Sequence, residues 1–470
     1  MCGIFALLNN QNTFSHNAIE SAFAKGQGRG PEHSTIEMCD NKLLMGFHRL
    51  AINGLNQESN QPIKIDSCVL ICNGEIYNYK TLYNSIGVTP TTDSDCEIII
   101  HLYKLYGIEY TLRLLDGVFS FILYDYNDCA MEPIVYVARD PYGVRPLYVM
   151  EPNAKMCYSV DDITPMSNIT HENIVGFASE LKVLSFLMNY NNTHLHIGDT
   201  ERISTIKINY NTYAFPYHIH QFPPGSYMCL SCSFKTHSSW KPRLLPTKYH
   251  ITLQSPRILS PYTEECSKQA QTMVCKILNE AVKKRVVGTS DRPIACLLSG
   301  GLDSSLITAL VKKYYKYDLE TYSIGMPGSV DLIRAKQVAD YLGTKHTEIR
   351  LTKEQFFAAI PETILAIESY DTTTVRASVG NYLIGKYISQ NSDAKVIFNG
   401  DGSDEMTGGY LYFLKSPSDL EFDKECRRLL SNINFFDVLR SDKSISSNGL
   451  EPRTPFLDRD FVDYYMSIPV

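Results

Sequence analysis

The chain has 470 residues, enough for two or more domains, and 44% of them are hydrophobic, enough for sizeable packed cores. Its formal net charge of -7, with no dense basic run, argues against general nucleic-acid binding. No stretch of about 20 apolar residues exists to span a membrane, and the N-terminus lacks a basic segment followed by an apolar one. The cysteines number thirteen, an odd count, and are scattered, with Cys229 and Cys232 a lone short-spaced pair. Free thiols in a reducing, cytoplasmic setting are the expectation.

Met1-Cys2-Gly3 opens an apolar strand. Once Met1 is removed, Cys2 carries a thiol and a free α-amine on one residue. That amine, with an ordinary pKa of about 7.7–8.0, can act as base directly or through water. Gly28-Arg29-Gly30-Pro31-Glu32 reads as a loop, and Gly46 to Ile52 as a short strand carrying Arg49. Asn73-Gly74-Glu75-Ile76-Tyr77-Asn78 reads as a turn after the apolar run from Cys68 to Ile71. Thr92 to Glu97 caps a helix running to about Tyr106. Arg49 can bind a carboxylate, Asp95 an ammonium, and Asn73 with the Gly74 N–H an oxyanion. Together these parts suit thiolate attack on the side-chain amide of glutamine.

These segments resemble the glutaminase domain of class II glutamine amidotransferases, which are N-terminal-nucleophile hydrolases with an αββα sandwich. Asp116 to Phe121, Arg139 to Tyr148 and Ala178 to Lys182 continue the resemblance. It implies Cys2, Asn73 and Gly74 as catalytic residues. It implies glutamine binding by Arg49, Leu50, Ala51, Ile52, Asn53, Asn73, Gly74, Glu75 and Asp95. Glu32 stands where the family usually has aspartate, a departure of modest expected effect. The first domain is expected over 1–228, with insertions near 151–175 and 189–218. His194, His196, His218 and His220, in and just after the second insertion, read as solvated histidines, because no acidic or cysteine ligand keeps regular spacing with them. Residues 229–262 read as a hairpin and linker around Trp240. Thr263 to Val286 reads as an amphipathic helix whose charges complement its dipole.

From there to residue 470, strands and helices alternate, which predicts a doubly wound parallel α/β domain. Strands are expected at Ala295–Leu298, Thr321–Gly325, His346–Leu351 and Lys395–Phe398. Helices are expected at Leu306–Lys313, with Leu306, Ala309 and Leu310 on one face, and at Asp331–Leu342. Ligands of such folds sit beyond the carboxyl ends of the strands. There the sequence places Leu298-Ser299-Gly300-Gly301-Leu302-Asp303-Ser304-Ser305, a glycine- and serine-rich loop entering a helix. Glycines admit close backbone approach, and N–H groups at a helix N-terminus favour anions. The loop lacks the lysine of a Walker A motif, so Asp303 is expected to hold a magnesium ion that neutralises phosphate.

The loop resembles the pyrophosphate loop of the ATP pyrophosphatases. Ser323 to Gly328, Asp371 to Ser378, Gly402 to Tyr410 and Arg453 to Asp458 resemble, in order, segments of the asparagine synthetases. The resemblance implies ATP binding by Leu298 to Ser305, Ile324, Asn399 and Gly400. It implies aspartate binding by Thr373, Arg376 and Asp401, Mg2+ on Asp303 and Asp404, and a catalytic role for Asp401. The implied reaction is ATP-dependent synthesis of asparagine from aspartate through β-aspartyl-AMP, with ammonia supplied from glutamine through an internal tunnel. The implied partners are glutamine, aspartate and ATP, with no nucleic acid or membrane, and a homodimer is compatible. Asp401 stands where the family usually has glutamate, one methylene longer. Family members also carry, beyond the Arg453–Asp458 segment, a lysine that contacts the ATP phosphates. No lysine follows Lys443, and Arg453 and Arg459 are late cations, so weakened adenylation is expected. The competing readings are a glutaminase with an impaired ATP-binding domain and a non-catalytic partner of a complete synthetase.

Overall fold

The computed structural model describes residues 1–40, 42–127, 132–152, 174–194, 217–232, 239–251, 263–289 and 291–470. The first part is built on strands β1 (Gly3–Leu8), β2 (His33–Asp40), β3 (Leu43–Arg49), β4 (Ile63–Ile65), β5 (Cys68–Ile76) and β6 (Gly117–Asp125). They are followed by β7 (Ile134–Arg139), β8 (Tyr148–Pro152), β9 (Val175–Ala178), β10 (Tyr217–Gln221), β11 (Ser226–Ser231) and β12 (Lys241–Lys248). They pair as two antiparallel sheets, β10-β8-β9-β1-β3-β2 and β12-β11-β7-β6-β5-β4.

The packing of β1 explains its unbroken apolar run. Ile4, Ala6 and Leu8 face the other sheet, where Val69 and Ile71 of β5 meet them. Phe5 and Leu7 face outward onto Ile19 and Phe23 of the helix His16–Ala24 and Leu184 and Leu187 of the helix Leu181–His194. A strand covered on both faces has no polar side to show. In β5 the same alternation sends Leu70 and Cys72 toward the helix Ile98–Leu114. The result is the expected αββα sandwich.

Three expectations change here. The hairpin within 229–262 belongs to the sandwich: β12 pairs with β11, and Trp240 is fully buried between the sheets. Residues 252–262 of that stretch, and most of the two proposed insertions, lie outside those described, as does His196. Second, the helix after Ser94 breaks at its expected end, at Gly107 with the non-helical φ 75° and ψ 170°, but a further helical stretch follows directly and runs to Leu114. Of the other loop histidines, His218 and His220 approach each other at 3.2 Å, and no metal-binding group of three or more ligands occurs among the described residues.

The second part holds β13 (Ile294–Leu297), β14 (Glu320–Gly325), β15 (Lys345–Arg350), β16 (Val396–Phe398) and β17 (Glu451–Arg453). All pair in parallel, in the order β15-β14-β13-β16-β17. Helices cover both faces. Cys296 packs with Ile307 and Val311 of the helix Leu302–Tyr314, while Ala295 packs with Ile384 and Ile388 of the helix Thr372–Asn391. The third change concerns the helix Leu302–Tyr314, which starts earlier than expected. Its buried face is Ile307, Thr308 and Val311, and Leu306 is exposed. Of the three residues expected on one face, Leu310 is half-buried against the core and Ala309 is half-buried. No helix among the described residues is long and apolar enough to cross a membrane.

Candidate active sites

The first site lies where β1 begins and β3 and β5 end. It is lined by Cys2, Arg49 to Asn53, Gly74, Glu75 and Asp95, all expected from the sequence. The Cys2 thiol points at the Leu50 carbonyl, 3.6 Å away, and burial pushes its pKa up to about 11. Burial also lowers the Met1 ammonium to about 6, although Glu451 lies 3.8 Å from it and opposes the change. Gly74 is required by its neighbours: a Cβ there would stand 2.5 Å from the Val118 carbonyl oxygen. Burial raises Asp95 to about 6, while the Ile76 N–H donates to it at 2.7 Å and opposes the shift. Burial raises Glu75 as well, and Arg453 at 3.2 Å and Asn53 at 2.5 Å oppose it.

Two expected residues are placed differently from a simple substrate contact. The Arg49 guanidinium donates to the Asn56 carbonyl at 2.8 Å, to Asn60 at 2.6 Å and to the Gly54 carbonyl, so it organises the Leu50–Asn60 loop. Asn73 is fully buried, with its amide nitrogen 3.5 Å from Ser179 Oγ, and does not line the cleft itself. Sequence reading missed Gln61, which donates to the Cys72 carbonyl and accepts from the Cys72 N–H, and Glu451, which comes from the second domain. Neither has a local sequence signal. Glu32 accepts from the Ala51 N–H at 2.7 Å and pairs with Arg292 of the second domain at 2.7 Å.

The second site is a cavity of about 270 Å³ beyond the carboxyl ends of β13 and β16. Ser299, Gly301, Asp303, Ser304, Asn399, Gly400, Asp401 and Asp404 line it. Gly300 has φ 79°, and a Cβ there would stand 2.5 Å from the Ala335 nitrogen. Ser299 and Ser304 hydroxyls meet at 2.9 Å, and Gly301 N–H donates to Ser299 Oγ at 3.3 Å. The Ser305 hydroxyl is buried and finds no protein partner. Asp303 accepts from Ser403 at 3.1 Å. Burial raises both Asp303 and Asp404, and the second cause for Asp404 is the charge of Asp303. Two hard carboxylates that repel each other suit a divalent cation with its remaining positions filled by phosphate and water.

Asp401 accepts from the Asn399 amide at 2.7 Å and from Arg440 at 3.3 Å. Arg440 also pairs with Asp437, and it is the cation among the described residues that line the cavity. Sequence reading missed both, having looked to Arg453 and Arg459. Arg453 instead turns to Glu75 and Glu451, and Arg459 donates to the Arg113 and Leu115 carbonyls. The Asp437–Arg440 pair at helical i, i+3 spacing was a legible signal. Tyr410 donates to Glu405, whose pKa burial and the neighbouring Asp437 push up to about 8. Thr373 and Arg376 are exposed and do not line this cavity; the same helix reaches it through Asn381. Leu298, Gly300, Leu302, Ser305 and Ile324 likewise lie outside the lining set. Ile324 sits 3.7 Å from where a Cβ on Gly380 would be.

Family comparisons agree with this division. A glutamine amidotransferase domain model matches residues 1–241, and an asparagine synthase model matches 273–421 and 414–470. The glutamine-hydrolysing asparagine synthetase of Rattus norvegicus is 36% identical over 484 residues, covering 100% of this chain and 77% of the relative. The chain belongs to the glutamine-hydrolysing asparagine synthetase family. The Homo sapiens member is 37% identical over 490 residues, again covering 100% of this chain and 77% of its own length. Among solved structures, an NH3-dependent NAD synthetase from Campylobacter jejuni aligns over 30% of this chain and 60% of its own, at 20% identity and a TM-score of 0.22. The two family models meet the two sites: one spans the cleft at Cys2, the other the cavity at Ser299–Ser304.

Proposed function

We propose that the protein makes L-asparagine from L-aspartate and ATP, with glutamine as nitrogen donor, releasing glutamate, AMP and pyrophosphate. The observation that carries this is the presence, in one chain, of a cleft around Cys2 and a phosphate-loop cavity with paired acids. In the first, removal of Met1 frees the Cys2 amine to take the thiol proton. The thiolate attacks the glutamine amide carbon, and the Gly74 N–H in the cleft is assigned to the oxyanion, with Asn73 assigned beside it on the strength of the family segment alone. Ammonia leaves, and water hydrolyses the thioester to glutamate. Asp95 supplies negative charge for the substrate ammonium, and Glu75 lines the cleft beside it.

In the second site the aspartate side-chain carboxylate attacks the α-phosphorus of ATP. The Ser299–Ser305 loop receives the departing pyrophosphate at the N-terminus of the helix Leu302–Tyr314. Magnesium, when bound, supplies positive charge against the polyphosphate, and Asp303 and Asp404 are the residues that would hold it. Arg440 fixes Asp401, which is a methylene shorter than the family's glutamate, in one orientation. Ammonia then attacks the acyl carbon and AMP leaves. Thr373 and Arg376 are assigned to aspartate on the strength of the family segment and of Asn381, which carries their helix to the cavity. The test is purified protein with glutamine, aspartate, ATP and magnesium, analysed for asparagine and AMP. Glutamate formed without asparagine or AMP would refute the synthetase reading and leave a glutaminase.

A further inference from the structure

The helix Thr372–Asn391 begins on an exposed turn. Tyr370 is 90% exposed, and Asp371, Thr372 and Thr373 are exposed as well. Asp371 caps the helix, accepting from the Thr374 N–H and hydroxyl, both at 2.8 Å. Those bonds are local and do not fix where the turn sits. The anchor is three residues earlier. Glu368 ends the preceding helix, Ile360–Ile367, with φ 56°, a left-handed conformation that a residue with a side chain holds only when its surroundings impose it.

Those surroundings belong largely to the other domain. The Glu368 carboxylate accepts from the backbone N–H groups of Leu181 and Lys182, each at 2.8 Å, at the N-terminus of the helix Leu181–His194. Lys182 Nζ lies 3.8 Å from it, and the buried Lys443 ammonium pairs with it directly. Lys443 is shared with Glu180 at 3.5 Å. Glu180 pairs with Arg29 at 2.8 Å, and Arg29 donates to the carbonyl of Cys2 at 2.9 Å. An unbroken series of buried polar contacts therefore joins the backbone of the glutamine-site cysteine to the residue before the aspartate turn.

We propose that Glu368 is a positioning residue by which the glutamine-site domain fixes the start of the aspartate-binding helix, and so sets the affinity for aspartate. The proposal rests on the reading of Thr373 and Arg376 as aspartate-binding. Glu368 touches no substrate. It acts by holding residues 369–373 in register against the helix Leu181–His194.

The test compares wild type with Glu368→Gln, Glu368→Gly and Arg376→Ala in aspartate-dependent ATP–pyrophosphate exchange without an amine donor. Glycine adopts the left-handed conformation freely, so the Gly variant removes the carboxylate while relieving the backbone. Both Glu368 variants should raise the KM for aspartate about tenfold, with kcat and the KM for ATP within about twofold. Amide hydrogen exchange on the same proteins should accelerate at Leu181 and Lys182 and also at residues 371–375. An aspartate KM that stays at the wild-type value in the Gly variant overturns the proposal. So does faster exchange confined to Leu181 and Lys182. An Arg376→Ala protein with unaltered aspartate KM, or wild type without aspartate-dependent exchange, refutes the functional reading instead. The amide-exchange arm then still judges whether Glu368 orders the turn.

Discussion

Two residues have environments that set a measurable protonation behaviour. The Cys2 thiol is held high by burial, at about 11, so at neutral pH it needs a base beside it. The base proposed is its own amine, which exists only after Met1 is removed. Cys2→Ala should therefore abolish glutamine-dependent asparagine formation and leave the ammonia-dependent rate within about twofold. Glutamine-dependent synthesis persisting in that variant would sink the assignment, and mass spectrometry of active protein should show Cys2 at the N-terminus. Glu405 gives a pH prediction. Its folded pKa of about 8 lies above the ordinary glutamate value of about 4.3, because burial and Asp437 disfavour its charge. Between those two values the folded protein binds more protons at this site than the unfolded chain. Stability therefore falls as pH rises through that window. Thermal melts of Glu405→Gln should be flatter across that window than those of wild type, and parallel curves would show that Glu405 is not the group responsible.

At the scale of elements, the phosphate loop was readable and the helix beside it was not. An apolar strand, two glycines, serines and an aspartate in a row announce the turn from β13 into the helix Leu302–Tyr314, because each residue type answers a local need. Gly300 shows how tight that need is. Alanine there would meet the backbone of the helix Val330–Leu342 at 2.5 Å from Ala335 N, in a left-handed conformation as well. Gly300→Ala should displace the loop and lower ATP–pyrophosphate exchange by about 100-fold or more, since a shift near 1 Å suffices for that. Gly343→Ala is the control: φ is 63° but nothing lies within 4 Å, so it should cost about 1 kcal/mol of stability and little rate. Equal losses in the two variants would reduce the effect to backbone conformation. The helix Asp437–Ser446 shows the opposite case. Its polar sequence reads as a solvated face, yet Asp437, Ser441, Asp442, Lys443, Ser444 and Ser446 are all buried. Partners of Asp442, Lys443 and Ser446 lie in the other domain, Arg29 being 413 residues away from Asp442, and no local pattern records them. For the same reason Glu451 was not legible as part of the glutamine cleft, whereas Asp437 and Arg440, whose partners Gly402 and Asp401 lie in their own domain, carried a local signal in their i, i+3 spacing.

For the whole molecule, the question is whether the two domains are one cooperative body. Arg29, Arg145, Lys182, Lys443 and Arg453 meet Glu75, Glu180, Glu368, Asp442 and Glu451 in an interdomain network of five cations and five carboxylates. Such a balanced set adds little net stability over an apolar interface, but removing one member strands its partners in a poorly solvated place. Asp442 is the sharpest point of attack. It pairs with Arg29 at 2.7 Å and with Arg145 at 3.4 Å, and all three are buried. Asp442→Asn keeps the size and leaves two guanidinium charges under-compensated, at an expected cost of ~3–5 kcal/mol. The readout comes from the single tryptophan. Trp240 is fully buried between the two sheets of the first domain, whereas Asp442 belongs to the second. If the domains unfold together, a substitution in the second must lower the urea midpoint reported by tryptophan fluorescence in the first. Added salt should restore little of the loss, because buried charges are weakly screened. A Trp240 transition that stays at its wild-type midpoint would mean that the sandwich unfolds alone, and that the network aligns the two sites without making them thermodynamically one.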